Sequence, residues 1–125
     1  MEGLEFAGQR GFFRPVGEVS FDKTKELVAA AITTARANNL RELLVNVSAL
    51  TGFPVPSVTQ RFYMVTQWAE AARGQVRVAV VARAEMIDRD KFGVTVAANR
   101  GMVSEVFLSE AEALAWFDAM SDSER

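Results

Sequence analysis

Arg41-Glu-Leu-Leu-Val-Asn-Val-Ser-Ala-Leu-Thr-Gly-Phe-Pro-Val-Pro-Ser57 is the stretch that decides the fold. From Leu43 to Val47 it is an apolar, branched run interrupted only by Asn46. A strand covered on both faces of a parallel sheet reads this way, because it has no solvent side towards which to alternate. Thr51 and Gly52 then loosen the chain, and Pro54 and Pro56 exclude regular pairing. Ser57 stands where a helix N-cap would stand. The stretch is therefore a central strand, its exit loop and the start of the next helix. In open α/β sheets ligands gather at the carboxyl ends of strands, so this loop is the first place to expect a site.

On the carboxyl side, Val58, Phe62, Val65, Ala69 and Ala72 make one face of a helix closed by Gly74. Met64, Trp68 and Ala71 add a second apolar stripe, while Tyr63 points elsewhere. Such girth implies deep burial or a second contact. Val76 to Ala82 reads as the next strand. A charged loop from Arg83 to Asp90 contains Met86 and Ile87. Asp88 or Asp90 is expected to cap a third helix to about Asn99, with Phe92, Val96 and Ala97 inward. Val103 to Leu108 is the last strand. Ser109-Glu-Ala-Glu112 matches a capping box before a closing helix with Ala113, Leu114, Phe117 and Met120 on one side and Trp116 at its border. Ser121 to Arg125 is expected to fray.

On the amino side, Asn38-Asn39 ends a helix that starts after Ser20 or Asp22, with Leu27, Val28, Ala31, Ile32 and Ala35 inward and Lys23, Glu26 and Arg36 outward. Leu4 and Phe6, then Phe12, Phe13 and Val16, suggest a hairpin broken by Gly8 and Gly11. Pro15 keeps that hairpin near a sheet edge. The fold class is thus α/β: one domain over residues 1–125, a mostly parallel mixed sheet of about five strands, about four helices and an N-terminal edge hairpin.

The 125 residues are half hydrophobic and carry a net charge of −2 with no basic cluster, which gives no reason to expect nucleic acid. Cysteine is absent, so disulfides and thiolate chemistry are excluded. Histidine is absent too, which removes histidine triads, histidine general bases and histidine metal sites. No phosphate loop, dinucleotide fingerprint or metal-ligand spacing is present, and no cofactor is expected. No signal peptide or apolar run of about 20 residues is seen, so a cytoplasmic location is expected.

Three stretches resemble one known family. Leu43-Leu-Val-Asn-Val-Ser-Ala-Leu-Thr-Gly52, Val76-Arg-Val-Ala-Val-Val-Ala82, and Phe92-Gly with Ala97-Ala-Asn-Arg-Gly101 running on to Val106-Phe-Leu-Ser-Glu-Ala-Glu-Ala-Leu-Ala-Trp-Phe117 look like the SpoIIAA-like group of the sulfate-transporter and anti-sigma-factor-antagonist (STAS) fold. The resemblance implies a non-enzymatic domain acting through protein contacts. Antagonists of this type carry an Asp-Ser-Ser-Gly-like element whose serine a kinase phosphorylates. The loop here reads Thr51-Gly-Phe-Pro-Val-Pro-Ser-Val58, with one serine near that place and neither the aspartate nor the following glycine. The group's structural kinship with Sec14-type lipid-binding domains implies an apolar ligand or a membrane surface.

The leading expectation is a homo-oligomer with a regulatory protein partner, the Met64/Trp68/Ala71 stripe supplying the self-contact. The alternatives are a carrier of a small apolar ligand or a peripheral membrane binder, and a phosphorylatable anti-sigma factor antagonist. Phe53, Val55, Val58, Met86, Ile87 and Phe92 are expected either to seal the loops as a minor core or to line a cleft for an apolar ligand, with Met64 and Trp68 either there or on a dimer face. Ser57 and Ser48 are the candidate phosphoacceptors. The first reading of Ser57 is a plain N-cap, with phosphoacceptor the sharper alternative.

Overall fold

The computed structural model describes residues 1–123. Four strands run parallel: β2 (Arg10–Phe13), β4 (Glu42–Asn46), β6 (Arg77–Val81) and β7 (Ser104–Phe107), side by side in that order. β1 (Leu4–Ala7) pairs antiparallel with β2 and forms the edge hairpin expected from the glycines. Each crossover steps one strand further in the same direction. Crossovers of one hand that never reverse must lie on one face. Accordingly α1 (Phe21–Ala37), α2 (Val58–Ala72) and α3 (Phe92–Asn99) pack together on one side, and α4 (Glu110–Ser123) covers the other.

The pleat sorts the central strands between these layers. Leu43, Val45 and Val78 face α1–α3, and Leu44, Ala79 and Val81 face α4. This two-sided burial is why β4 reads as an unbroken apolar run. Ser20 caps α1, its Oγ accepting from the Lys23 amide at 3.0 Å. Asn39 takes the left-handed conformation at φ 60°, which Asn tolerates better than most residues. Ser57 caps α2 in a complete capping box with Gln60, a pattern present in the sequence but not singled out there.

Several expectations need correction. Arg36 does not point into solvent; its Nε donates to the Ala71 carbonyl at 2.9 Å and ties α1 to α2. Neither Asp88 nor Asp90 is the N-cap residue of α3. Lys91 holds that place, and Asp88 instead reaches across to accept from the Phe92 amide at 2.7 Å. Ser109 Oγ accepts from the Glu112 amide, but the Glu112 carboxylate meets the serine hydroxyl rather than its amide. Ser121 to Ser123 continue α4 instead of fraying, while Glu124 and Arg125 lie outside the described residues.

Two short strands were not expected. β3 (Gly17–Glu18) and β5 (Leu50–Thr51) pair in parallel as a separate two-stranded ladder. The Gly17 amide donates to the Ala49 carbonyl at 3.3 Å and the Val19 amide to the Thr51 carbonyl at 2.8 Å. Two residues are too few to leave a periodic signal. Gly52 follows at φ +106°, where a Cβ would stand 2.5 Å from the Val19 carbonyl oxygen. Only glycine fits there.

Candidate ligand pocket

The strand order of the parallel region never reverses, so no crevice opens between crossovers on opposite faces. The concave feature lies instead between the sheet and the helices above it. Val80 and Ala82 form part of its floor, Met64, Val65 and Trp68 one wall, and Gly93 and Val94 of α3 another. Phe53 and Pro56 close it from the exit loop of β4. Met86 and Ile87 close it from the segment after β6, where Ala84–Met86 makes one 3-10 turn. The cavity is about 120 Å³ and its lining is predominantly apolar.

Trp68 is 6% exposed and its indole Nε1 donates to the Lys25 carbonyl at 3.1 Å. The ring is thus locked between α1 and α2. Phe53 meets Phe21 edge-on, with ring centroids 6.1 Å apart. At the mouth, Lys91 Nζ pairs with Glu105 at 3.0 Å and Arg83 Nε with Glu85 at 3.5 Å. Arg61 Nη2 donates to the Met86 carbonyl at 3.0 Å, joining α2 to the 84–87 segment.

Of the eight expected site residues, Phe53, Met64, Trp68, Met86 and Ile87 come together on the lining. Val55 and Val58 do not; they are 49% and 64% exposed. Phe92 packs against the α1–α3 core without reaching the pocket lining. The Met64/Trp68/Ala71 stripe packs on the chain's own core. Trp68 belongs to the core, and Met64 and Ala71 pack against it. Arg61 was not anticipated, although it stands three residues before Met64 and seven before Trp68, on the same side of the helix.

The other side of the β4 exit is polar. Asn46 Nδ2 donates to Glu110 Oε2 at 2.8 Å, and Asn46 Oδ1 accepts from both the amide and the hydroxyl of Ser48. Arg14 grips Glu110 with Nε and Nη2 at 2.8 and 2.9 Å. The Arg14 hydrogen bond, and after it that of Asn46, holds the Glu110 carboxyl below its ordinary range. Ser48 is thus engaged at its hydroxyl, while Ser57 is exposed and engaged in its capping box.

A second charged cluster was invisible to the sequence reading. Arg10, Glu42 and Arg77 are direct cross-strand neighbours on β2, β4 and β6. Glu42 is buried, with Oε1 2.9 Å from Arg10 Nε and Oε2 3.7 Å from Arg77 Nη1. Arg10 also reaches Asp118 of α4 at 3.0 Å and stacks over Phe117. This ladder lies at the amino ends of the strands, away from the pocket. Among the described residues no group of three or more carboxylates is placed to hold a metal ion. No helix among them is long and apolar enough to cross a membrane.

A five-stranded sheet carrying an antiparallel edge hairpin, three helices on one face and one on the other matches a solved architecture. The anti-sigma factor antagonist SpoIIAA, in its unphosphorylated form, superposes with a TM-score of 0.55 over 92% of this chain and 96% of its own, at 17% identity. The chain has the SpoIIAA-like fold. An uncharacterized Shewanella loihica PV-4 protein, itself described as having a SpoIIAA-like fold, aligns over 91% of this chain and 90% of its own, at 17% identity and a TM-score of 0.49. No family model matches the sequence, and no curated protein matches it. SpoIIAA-like here is a statement of architecture. The exit loop of β4 is the roof of the pocket.

Proposed function

We propose that this protein is a non-enzymatic binding module whose pocket takes a compact apolar ligand. One observation carries the reading: a predominantly apolar cavity of about 120 Å³ walled by α2, α3, the sheet and the Phe53 loop. Apolar concavities with a few polar groups at the mouth are the usual form of small-molecule sites. The chain's lack of histidine and cysteine supports binding over catalysis.

Ligand-observed NMR with toluene tests this. Saturation transfer to toluene is expected with the parent protein and is expected to vanish in Val80→Phe, which fills the floor. A folded parent that transfers no saturation to any compact apolar probe would sink the reading.

Contact with a partner protein is the second reading. The exposure of Val55, Val58 and Tyr63 at the outer side of the roof and the start of α2 favours it. Self-association through the Met64/Trp68/Ala71 stripe loses its support, because Trp68 is enclosed. Sedimentation over rising concentration checks this directly: a monomer throughout leaves only a foreign partner for that surface.

A further inference from the structure

We infer that the pocket's ligand is a compact monoanion, a carboxylate on a single ring or a short chain, with its head group against Arg61. The inference rests on the pocket reading above and adds size and charge to it.

The size follows from the volume. A cavity of about 120 Å³ is slightly smaller than the roughly 150 Å³ engineered cavity that accepts benzene. One ring or a few methylenes fill it, and a long acyl chain does not fit.

The charge follows from the partners of the lining residues. Lys91 is matched by Glu105 and Arg83 by Glu85, while Asp88 keeps its negative charge and accepts from the Phe92 amide at the first turn of α3. Arg61 differs: it makes one hydrogen bond, to the neutral Met86 carbonyl, and no carboxylate lies within ion-pair distance of it among the described residues. A guanidinium has five N–H donors in a planar fork. A part-buried guanidinium on an apolar wall, with most of its donors unused by the protein, is a ready seat for an anion. A carboxylate fits the fork with two parallel hydrogen bonds. With the Asp88 carboxylate also on the lining, a single carboxylate suits the pocket better than a phosphate dianion.

Three probes separate body, head and length: sodium benzoate, benzyl alcohol and sodium palmitate, titrated calorimetrically against the parent and Arg61→Met. Methionine keeps an unbranched apolar stem and removes the charge. In the parent, benzoate is expected to bind about tenfold or more tightly than benzyl alcohol. In Arg61→Met that preference disappears while benzyl alcohol binds as before. Palmitate is expected not to bind.

Benzyl alcohol matching benzoate in the parent would overturn the charge inference and leave the pocket reading standing. Binding of neither ring compound would overturn both. Palmitate binding more tightly than benzoate would overturn the size. Should Arg61→Met not fold, salt replaces it: added sodium chloride is expected to weaken benzoate and not benzyl alcohol. An equal response of the two refutes the role of Arg61.

Discussion

Replacing Trp68 tests where α2 turns its broad apolar side. A tryptophan buries about 150–250 Å², and Trp68 is 6% exposed. At about 25 cal/mol per Å² full removal corresponds to roughly 4–6 kcal/mol, an upper bound because the unfolded chain already hides part of that area. Alanine retains its own Cβ, so Trp68→Ala is expected to destabilise by about 3–5 kcal/mol, including the lost indole bond to the Lys25 carbonyl. That is a large share of an ordinary domain stability of about 5–15 kcal/mol. Trp68→Phe is therefore the quantitative probe. It keeps a ring and loses the N–H donor, leaving the Lys25 carbonyl without that partner, for an expected loss of about 2 kcal/mol. With a urea slope of about 2 kcal/mol per M, the midpoint falls by about 1 M. Far-UV circular dichroism is the right readout, since Trp116 remains as a second emitter. If Trp68→Ala unfolds within about 1 kcal/mol of the parent and instead changes the sedimentation behaviour, the ring faces a partner and the core assignment is refuted.

Glu42→Ala removes the carboxylate that Arg10 and Arg77 share across β4, while Arg10 keeps Asp118; the expected loss is about 1–3 kcal/mol by urea unfolding, and no measurable loss would show that solvent already screens the ladder. Glu110 carries a pH signature. Its folded pKa lies below the unfolded one, so in that window the unfolded chain binds more protons and stability rises with pH. The contribution is complete above the ordinary glutamate value of about 4.3 and is lost as pH falls through the lowered folded value. The stability difference between parent and Glu110→Gln is thus expected to shrink on acidification, and a pH-independent difference counts against the Arg14–Glu110–Asn46 linkage. Ser57→Ala removes the hydroxyl half of the α2 capping box and is expected to lower stability by about 1 kcal/mol in thermal unfolding; no change would show the cap to be dispensable. Gly52→Ala drives a methyl group into the Val19 carbonyl at positive φ and is expected to destabilise by about 2–4 kcal/mol, while a neutral result would mean that the β3–β5 ladder yields freely.

The alternation of elements was legible because each central strand is buried twice and because α1, α2 and α4 each open with a serine able to cap them. Ser20, Ser57 and Asn39 act locally, within four residues, and local rules read them. The pocket's apolar residues were legible as types, since loop phenylalanines and methionines at the carboxyl side of a sheet have few places to go. Val58 was assigned inward and emerges exposed for a geometric reason. α2 has 15 residues, roughly 22 Å, whereas β4 and β6 have five each, about 16 Å. Its first turn therefore overhangs the sheet. The Arg10–Glu42–Arg77 ladder depends on register across three strands distant in sequence, which no local pattern encodes. Arg61 was legible in its spacing from Met64 and Trp68, but a charge on an apolar side is easily assigned to solvent.

The β3–β5 ladder and Gly52 bear on how the ligand proposed for this pocket can be exchanged for another. The roof over the cavity is positioned by two main-chain hydrogen bonds and by a residue with no side chain. None of these depends on what Phe53 or Pro56 presents to the cavity. The main-chain anchors and the side chains that meet the cavity are thus different atoms of one short loop, although the Phe53 ring also rests on Phe21. Specificity can be retuned at positions 53 and 56 while the loop keeps its place, whereas position 52 admits no exchange. A library randomised at 53 and 56, with 52 held as glycine, is the economical way to redirect this pocket.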